Sequence, residues 1–205
     1  MQPHKRISLT LMPIMLLGLA GCAHYNARPL IHIAQTRTAQ KEQIILDYRI
    51  FNGNDCKQFF DRNIISAGYQ PIQIMIHNNS ARYLSLNLNR CNVPIISPDD
   101  IAKRFHTSTK GRVAGYGIAF LFFWPFAIPA IVDGIGSSKA NKKLDEDFAR
   151  KSLRDQTISP YSSVNGVIFV PTNIRRSEIS LTLIDQQSGE PFVLSTEKTS
   201  VALAQ

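Results

Sequence analysis

The residues of this sequence with reactive side chains are few and scattered. The three cysteines, Cys22, Cys56 and Cys91, lie far apart, and no Cys-x-x-Cys pair indicates a zinc site. His77 and His106 have no serine or cysteine at a nucleophile-like turn beside them, and the Gly-x-Ser-x-Gly pattern of many hydrolases is absent. We therefore predict no catalytic residue, no metal and no cofactor, and we expect that the protein is not an enzyme.

Cys22 has a distinct chemical setting at the end of an N-terminal leader. Lys5 and Arg6 precede an apolar stretch from Ile7 to Leu17, which is typical of a secretory signal peptide. The stretch Leu19 to Cys22, LAGC, resembles the lipobox of bacterial lipoproteins. That resemblance implies cleavage before Cys22, a diacylglycerol on its sulfur and an acylated new amine, and two or three acyl chains anchor a protein firmly. The alternatives are a chance cysteine after an ordinary signal peptide and an uncleaved anchor.

The residue after Cys22 and the net charge both bear on location. Ala23 stands where an Asp would imply inner-membrane retention, by resemblance to enterobacterial lipoproteins, so we expect the outer membrane, facing the periplasm. The formal charge is +8, which falls by two when Lys5 and Arg6 are removed. A basic protein is attracted to an anionic membrane surface. Nucleic acid is not an expected partner, because an exported protein rarely meets it and no basic-aromatic motif is present.

The other two cysteines have two interpretations. In an oxidising compartment Cys56 and Cys91 could form a disulfide bond. The alternative is a pair of separate buried thiols, since a free cysteine packs as a small apolar side chain. The sequence leaves both open.

Several segments alternate apolar and polar residues, which predicts half-buried strands. They are QIILDYRIF, PIQIMIHNNS and RYLSLNLNR in the first half, and EISLTLID in the second. Two further strands are expected in the second half: VNGVIFVP, an apolar strand closed by Pro171, and PFVLS. The turn formers of Asn78 to Arg82 predict a hairpin between the second and third of these strands. The stretch QQSGE predicts a turn before the last strand. One polar face per strand favours antiparallel over parallel pairing.

Two short helices are expected between the strands. DCKQFFDRNII would begin at Asp55 as N-cap. SPDDIAKRFH has Ser97 as N-cap and Pro98 at the first helical position. We interpret Asp99 and Asp100 as carboxylates that suit the helix dipole in the first turn, in preference to catalytic acids.

The segment Val113 to Val132, VAGYGIAFLFFWPFAIPAIV, has the length of a membrane-spanning helix and carries no charge. A single crossing would place the strands before and after it on opposite sides of the membrane, where they could not share a sheet. Pro125 and Pro129 interrupt the segment, since proline removes a backbone hydrogen bond and clashes with the preceding turn. We therefore predict a helical hairpin, with one helix from Val113 to Trp124 and another from Ile128 onward.

We predict that this hairpin contacts lipid or a partner. Two alternatives stay open: the helices could form part of the protein core, or the segment could span the membrane. Gly111 and Gly115 have the spacing that lets helices approach closely, which would permit self-association. The predicted contact residues are Phe120, Phe122, Phe123, Trp124, Pro125, Phe126 and Pro129. After the segment, GSSKANKKLDEDFARKSLRDQ predicts a further helix with Leu144, Phe148 and Ser152 on one side.

Several short motifs resemble those of bacterial membrane-associated proteins of unassigned function. They are Phe60 to Ile64, Gly68 to Ile74, Asn78 to Ser80, the Gly-rich apolar stretch that ends in SSKAN, and Ile158 to Pro171. The resemblance covers residues 43 to 195 and implies a β-sandwich interrupted by a Gly-rich apolar segment. It implies no reaction and no catalytic residue.

The predicted fold class is mainly β with inserted helices, in the form of an antiparallel, Ig-like β-sandwich with an apolar helical hairpin. The predicted divisions are a signal peptide (1–21), a lipidated N-terminus and tether (22–41), two halves of the sandwich (42–97 and 158–200) and a helical insertion (98–157). The predicted function is that of a lipid-anchored cell-envelope protein with a structural or interaction role. Its expected partners are membrane lipid and an envelope protein or a second copy. The alternative is a periplasmic module that binds a ligand or a protein, with the apolar segment as a packed or oligomer-forming element.

Overall fold

The computed structural model describes residues 24–33, 37–106, 127–174 and 178–195. Within these ranges the chain is mainly β, with two antiparallel four-stranded sheets and three α-helices. The strands are β1 (Arg37–Lys41), β2 (Ile44–Ile50), β3 (Tyr69–Asn78), β4 (Leu84–Leu86), β5 (Gln156–Ile158), β6 (Ser162–Pro171), β7 (Ser180–Asp185) and β8 (Pro191–Ser195). The helices are α1 (Gly53–Phe60), α2 (Pro98–Arg104) and α3 (Ala127–Lys151).

Each sheet combines strands from before and after the apolar segment. Sheet 1 has the order β1-β2-β3-β6, and sheet 2 has the order β5-β4-β7-β8. The longest ladder joins β3 to β6, from Tyr69 opposite Pro171 to Asn78 opposite Ser162. The expectation that the two sets of strands share a sheet is therefore confirmed.

One mainly aliphatic core draws its side chains from both sheets. Its members come from alternate positions of the strands, as the period-two pattern predicts, because successive side chains of a strand point to opposite faces. Burial of each such aliphatic side chain contributes about 1.5–3 kcal/mol. The principal members are Ile44, Leu46, Tyr48, Ile72, Ile74, Ile76, Leu84, Leu86, Ile168, Val170, Leu181, Leu183, Phe192 and Leu194.

The hairpin predicted at Asn78 to Arg82 is wrong, because the chain passes here from sheet 1 to sheet 2. The buried side chain of Asn78 fixes this passage. Its Nδ2 donates to the carbonyl oxygens of Arg82 (2.8 Å) and Ser159 (2.9 Å), and its Oδ1 accepts from the amide of Ser80 (3.1 Å). The chain is thereby directed toward β5 and β7, and β4 pairs with those two strands instead of β3.

The predicted start of α1 is wrong, and the predicted start of α2 is confirmed. The N-cap of α1 is Asn52, and Asp55 lies at the third helical position, where it completes a capping box. The prediction of Asp55 as N-cap is therefore wrong by three residues. The N-cap of α2 is Ser97, followed by Pro98, and Asp99 and Asp100 lie in its first turn as predicted.

Helix α3 is longer than the helix predicted after the apolar segment. It begins at Ala127 and so includes the second arm of the predicted hairpin. Pro129 lies in its first turn, where a missing backbone N–H leaves no intrahelical bond unmade. Leu144 and Phe148 are both buried, in agreement with the predicted apolar side.

A second buried layer covers the outer face of sheet 1, the face turned away from sheet 2. Five phenylalanines meet there, from the end of β2, from α1, from α3 and from β6. The ring of Phe60 lies 4.7 Å from that of Phe148 and 5.5 Å from that of Phe169, and Phe148 stacks on Phe169 at 5.9 Å. Phe51 and Phe59 complete this aromatic cluster at a ring distance of 5.4 Å.

The chain divides into two compact units. The unit that carries both sheets, called the β unit below, holds the described residues from Asn26 to Phe105 and from Leu144 onward. It thus includes α2, β5 and the last turns of α3, which the prediction placed in the helical insertion. It also includes β1, which lies in the predicted tether and pairs with β2.

Candidate functional site

A groove of about 610 Å³ opens beside β6 in the β unit. Its floor is formed by Val167, Ile168 and Phe169. One wall comes from the segment between Leu88 and Pro98, and the other wall includes Ser152, Leu153 and Asp155. Because β6 is the last strand of sheet 1 on that side, the groove lies where the edge of the sheet meets the connection from β4 to α2.

Asn92 holds the first wall in place. Its amide donates to the carbonyl oxygen of Ser180 (3.3 Å), and its side-chain Oδ1 accepts from the amide of Ser180 (2.8 Å). Its Nδ2 donates to the carbonyl oxygen of Glu178 (2.9 Å). These three bonds attach the wall to the start of β7 in sheet 2.

Two backbone bonds attach both walls to β6 itself. The amide of Ile96 donates to the carbonyl oxygen of Phe169 (2.8 Å), and the amide of Leu153 donates to that of Val167 (3.0 Å). These bonds satisfy two outward carbonyl groups of the edge strand, which would otherwise be available to pair with another chain. The groove is therefore bounded by fixed backbone on two sides.

The polar groups of the groove are mostly uncharged. Asn89, Asn92, Ser97 and Ser152 supply amides and hydroxyls above the apolar floor. Asp155 adds a carboxylate, and one of its oxygens accepts from the amide of Leu88 (2.7 Å). Paired donors and acceptors over an apolar floor suit a neutral polar ligand better than an ion.

Cys91 also lines the groove and is a free thiol. Its side chain is half-buried, and burial raises the pKa of this thiol. At neutral pH it therefore stays protonated and is a poor nucleophile. Its Sγ lies 3.9 Å from Asn92 Oδ1, and hydrogen bonds with the backbone of Asn92 and Val93 oppose the rise in pKa.

Cys56 is the second free thiol and lies on α1, fully buried. Burial raises the pKa of Cys56 to about 11, against the opposing effect of hydrogen bonds with the backbone of Ile64 and Ile65. The disulfide bond that the sequence allowed between Cys56 and Cys91 is not present in the structure.

A line of three polar side chains crosses the outer face of sheet 1. Asp47 Oδ2 lies 3.2 Å from Nε2 of His77, and Nδ1 of His77 lies 2.8 Å from Oγ of Ser163. The residue types are those of a serine hydrolase triad. Ser163 lies within a regular strand ladder opposite His77, however, and not on the sharp turn that exposes a nucleophile. The arrangement is a cross-strand hydrogen-bond line that joins β2, β3 and β6.

Sequence analysis missed Ser163 because its link to His77 depends on strand register. The two residues are far apart in the sequence, and only the pairing of β3 with β6 brings them together. His106 is also described, and it follows α2 at the border of the β unit.

A buried ion pair lies beside the aromatic cluster. Lys151 Nζ contacts Asp147 Oδ2 one helical turn earlier, and it also donates to the carbonyl oxygen of Phe59. Burial lowers the pKa of Lys151, and the carboxylate of Asp147 acts in the opposite direction. Arg150 contacts the other oxygen of Asp147 at 2.6 Å. The ammonium is enclosed and bonded, so its role is to join α3 to α1.

Gln73 fixes the N-terminal segment to the outer face of sheet 1. Its Nε2 donates to the carbonyl oxygen of Ile31 (2.9 Å) and to Oδ1 of Asn165 (2.9 Å). Nearby, the amide of Arg28 donates to the carbonyl oxygen of Gln58 (2.9 Å). Part of the polar stretch predicted as a tether is thus held against the β unit.

Most of the residues predicted to contact lipid or a partner lie outside the described residues. These are Cys22, Phe120, Phe122, Phe123, Trp124, Pro125 and Phe126. Pro129 is described only as part of the backbone of α3. In the described parts of the chain, no helix is both long and apolar enough to cross a membrane. Nor does any group of three or more His, Cys, Asp or Glu side chains among the described residues form a potential metal site.

Comparison with known proteins adds no relative. No protein-family model matches the chain, and neither a curated protein nor a solved structure is significantly similar to it. Any functional assignment therefore rests on the sequence motifs and the geometry described above.

Proposed function

We propose that this chain is a lipid-anchored protein of the cell envelope whose β unit is a non-enzymatic binding module. The two sheets would form an Ig-like β-sandwich, an interpretation supported by the single aliphatic core that both sheets share. The observation that carries the binding role is the groove beside β6, with its neutral polar walls and apolar floor. Anchoring at the outer membrane, facing the periplasm, is supported by the lipobox-like stretch that ends in Cys22.

The ligand that fits the groove best is a short, uncharged peptide segment. A peptide backbone presents alternating donors and acceptors, which the side-chain amide of Asn89 and the O–H of Ser97 can match. Its apolar side chains can contact Pro94, Ile95 and Ile96, which line the groove and are at least partly exposed. A volume of about 610 Å³ lies within the range of small-ligand sites.

Cys91 provides a built-in reporter for this proposal. A panel of short uncharged peptides would be screened for binding to the acylated full-length protein, and the alkylation rate of Cys91 would be measured with each binder. A peptide in the groove should protect Cys91 and leave the slower reaction of Cys56 unchanged, because Cys56 is buried on α1. If no peptide binds, or if binders leave the rate at Cys91 unchanged, the groove is not a peptide site.

The anchor is tested on Cys22. Intact-mass analysis should show acyl chains on the mature N-terminus beginning at Cys22. A Cys22→Ala protein exported with a cleavable signal peptide should lose this mass. A mature protein whose Cys22 carries no acyl chain would refute the lipid anchor.

For the apolar segment 113–132 we propose the helical hairpin described above, in contact with lipid or with a partner complex. The absence of charge in the segment supports this proposal. Retention of the Cys22→Ala protein on alkaline-washed membranes would identify the segment as a second element that attaches the protein to the membrane. Its release would favour a packed or oligomer-forming role.

A further inference from the structure

The β unit has two distinct ends along the direction of its central strands. At one end, called the α1 end, Asp61 terminates α1 and Tyr69 pairs with Pro171. At the other end, called the turn end, Asn78 pairs with Ser162. The ten paired positions between them separate the two ends by about 30 Å.

The N-terminal segment enters the β unit at the α1 end. The amide of Asn26 donates to Oδ2 of Asp61 at 3.0 Å. Only four peptide units separate Asn26 from Cys22, so a fully extended chain between the two spans at most about 14 Å. An acyl group on Cys22 would therefore keep the α1 end close to the membrane that holds it.

The chain leaves the β unit for the apolar segment at the same end. The guanidinium carbon of Arg104, at the end of α2, lies 5.1 Å from the ring centre of Tyr69. Phe105 follows directly and is the last residue of the β unit before the second unit. The exit point is thus adjacent to the first residue of β3.

The chain also returns at this end. Ser152 forms a bridge with Val167, and Phe148, one helical turn earlier, stacks on Phe169. A helix advances about 6 Å in four residues, and a strand advances about as much in two. Leu144, a further turn earlier, therefore lies level with Pro171. Leu144 is the residue with which α3 enters the β unit.

From these three junctions we infer that the α1 end of the β unit faces the membrane and that the turn end faces away from it. This inference rests on the proposed lipid anchor. Both predicted membrane devices, the acylated Cys22 and the apolar segment 113–132, are joined to the β unit at the α1 end. They can reach one membrane from the same side, with the two halves of the fold still paired in one sheet.

Four exposed basic residues near the α1 end can contact anionic lipid headgroups. Carboxylates offset part of their charge: those at the start of α2, Asp61 at the end of α1, and Asp145 and Glu146 beside Leu144. Juxtamembrane lysines and arginines gain from a negative surface potential within a Debye length of the membrane. The basic residues are Arg28, Lys57, Lys103 and Arg104, and the carboxylates of α2 are Asp99 and Asp100.

The orientation is tested with fluorophores on single added cysteines in the acylated full-length protein. Lys57→Cys marks the α1 end, and Ser188→Cys, in the turn between β7 and β8, marks the turn end as a matched exposed control. Both variants carry Cys91→Ser, and Cys56 is too deeply buried to be labelled. In vesicles of neutral and anionic phospholipid with nitroxide headgroups, the label at 57 should be quenched several-fold more than the label at 188. Equal quenching, or stronger quenching at 188, would overturn the orientation.

Two further measurements test the lipid anchor and the headgroup contact separately from the orientation. Intact mass is measured first: a chain without acyl groups refutes the proposed anchor, whereas an acylated chain with reversed quenching refutes only the orientation. Quenching at 57 should also rise with the anionic lipid fraction, and Arg28→Glu with Lys103→Glu should remove that dependence. Quenching of the parent protein that does not respond to anionic lipid would overturn the headgroup contact.

Discussion

The two faces of sheet 1 are both largely covered, but their side chains differ in kind. Toward sheet 2, β3 presents Ile72, Ile74 and Ile76, which join a mainly aliphatic core. On the outer face, the same strand presents Gln73, Met75 and His77, of which the first two are fully buried. The inner face is held by non-directional burial of apolar area. The outer face combines ring contacts, a buried ion pair and hydrogen bonds whose geometry must be met.

This difference predicts different responses to substitution. The inner face should tolerate exchanges among aliphatic residues of similar volume, at a cost below about 1.5 kcal/mol. The outer face should be sensitive where a charge or a backbone contact is buried and tolerant where its polar groups reach solvent. Five measurements test that contrast.

The largest effect is expected at the buried ion pair on the outer face. Lys151→Ala removes the buried cation beside Asp147, which keeps its contact with the exposed Arg150, and it removes the donor to the carbonyl oxygen of Phe59. We expect a loss of about 3 kcal/mol in the free energy of unfolding, measured by urea denaturation. The double variant Asp147→Leu with Lys151→Met should recover most of it, because no unpaired charge remains. A loss below 1 kcal/mol for Lys151→Ala would show that this pair behaves as a surface pair.

The two free thiols lie in different layers: Cys56 in the outer layer, on α1, and Cys91 at the edge of the inner core. Their reactivity therefore compares the two layers. Because the pKa of Cys56 is raised from 9.0 to about 11, its thiolate fraction at pH 8 should be about a hundredfold below that of the unfolded chain. In the folded protein, alkylation followed by mass spectrometry should therefore label Cys91 before Cys56. Cys56 should react at least a hundredfold more slowly in the folded protein than in the protein unfolded in urea.

The raised pKa of Cys56 also predicts how the stability of the protein changes with pH. Between pH 9 and pH 11 the unfolded chain releases the Cys56 proton while the folded chain keeps it, so this group's contribution to stability falls as pH rises. Cys56→Ala should show a shallower fall over this range in thermal unfolding. An identical pH dependence in both proteins would contradict the raised pKa.

An intermediate effect is expected at Gly166 in β6. A Cβ added there would lie 2.6 Å from the backbone nitrogen of Leu153 and 2.7 Å from its Cα. Gly166→Ala must therefore displace the chain that follows α3, at a cost of about 1–3 kcal/mol. Gly53→Ala is the matched control, since a Cβ at Gly53 meets nothing within 4 Å. Equal unfolding midpoints for the two variants would show that the approach of Leu153 is not tight.

The smallest effect is expected at the hydrogen-bond line on the exposed half of the outer face. His77→Ala and Ser163→Ala should each change the free energy of unfolding by less than about 1 kcal/mol, because partly exposed polar pairs contribute little. Chemical denaturation at neutral pH measures this. A loss well above 1 kcal/mol in either variant would mean that the line is a structural element on a par with the buried ion pair.

Much of the inner face could be predicted from the sequence. Period-two alternation identified Ile72 to Ile76 in β3 and Leu181 and Leu183 in β7 as core positions, because a strand with one buried face must alternate. Local capping chemistry likewise located the start of α2 at Ser97 and Pro98. These features depend only on residues close together in the chain.

The functional surfaces could not be predicted in the same way. The groove combines residues 88–98, the end of α3 and the edge of β6, and no local pattern links these segments. The passage at Asn78 was mistaken for a hairpin because its turn formers suit both a hairpin and a crossing between sheets. The crossing is selected by contacts such as the bond from Asn78 to the carbonyl oxygen of Ser159, which lies far along the chain. The pairing of His77 with Ser163 required the register of β3 with β6.

The sequence by itself determined which residues of each strand are apolar, where α2 begins and that the segment 113–132 carries no charge. The tertiary structure alone decided that β3 and β6 are neighbours, that both faces of sheet 1 are covered, and that the three junctions of the β unit lie at its α1 end. The physical reason is the range of the interactions. Alternation and capping follow from backbone geometry within a few residues, whereas strand neighbours and junction positions follow from contacts between segments that are distant in the chain.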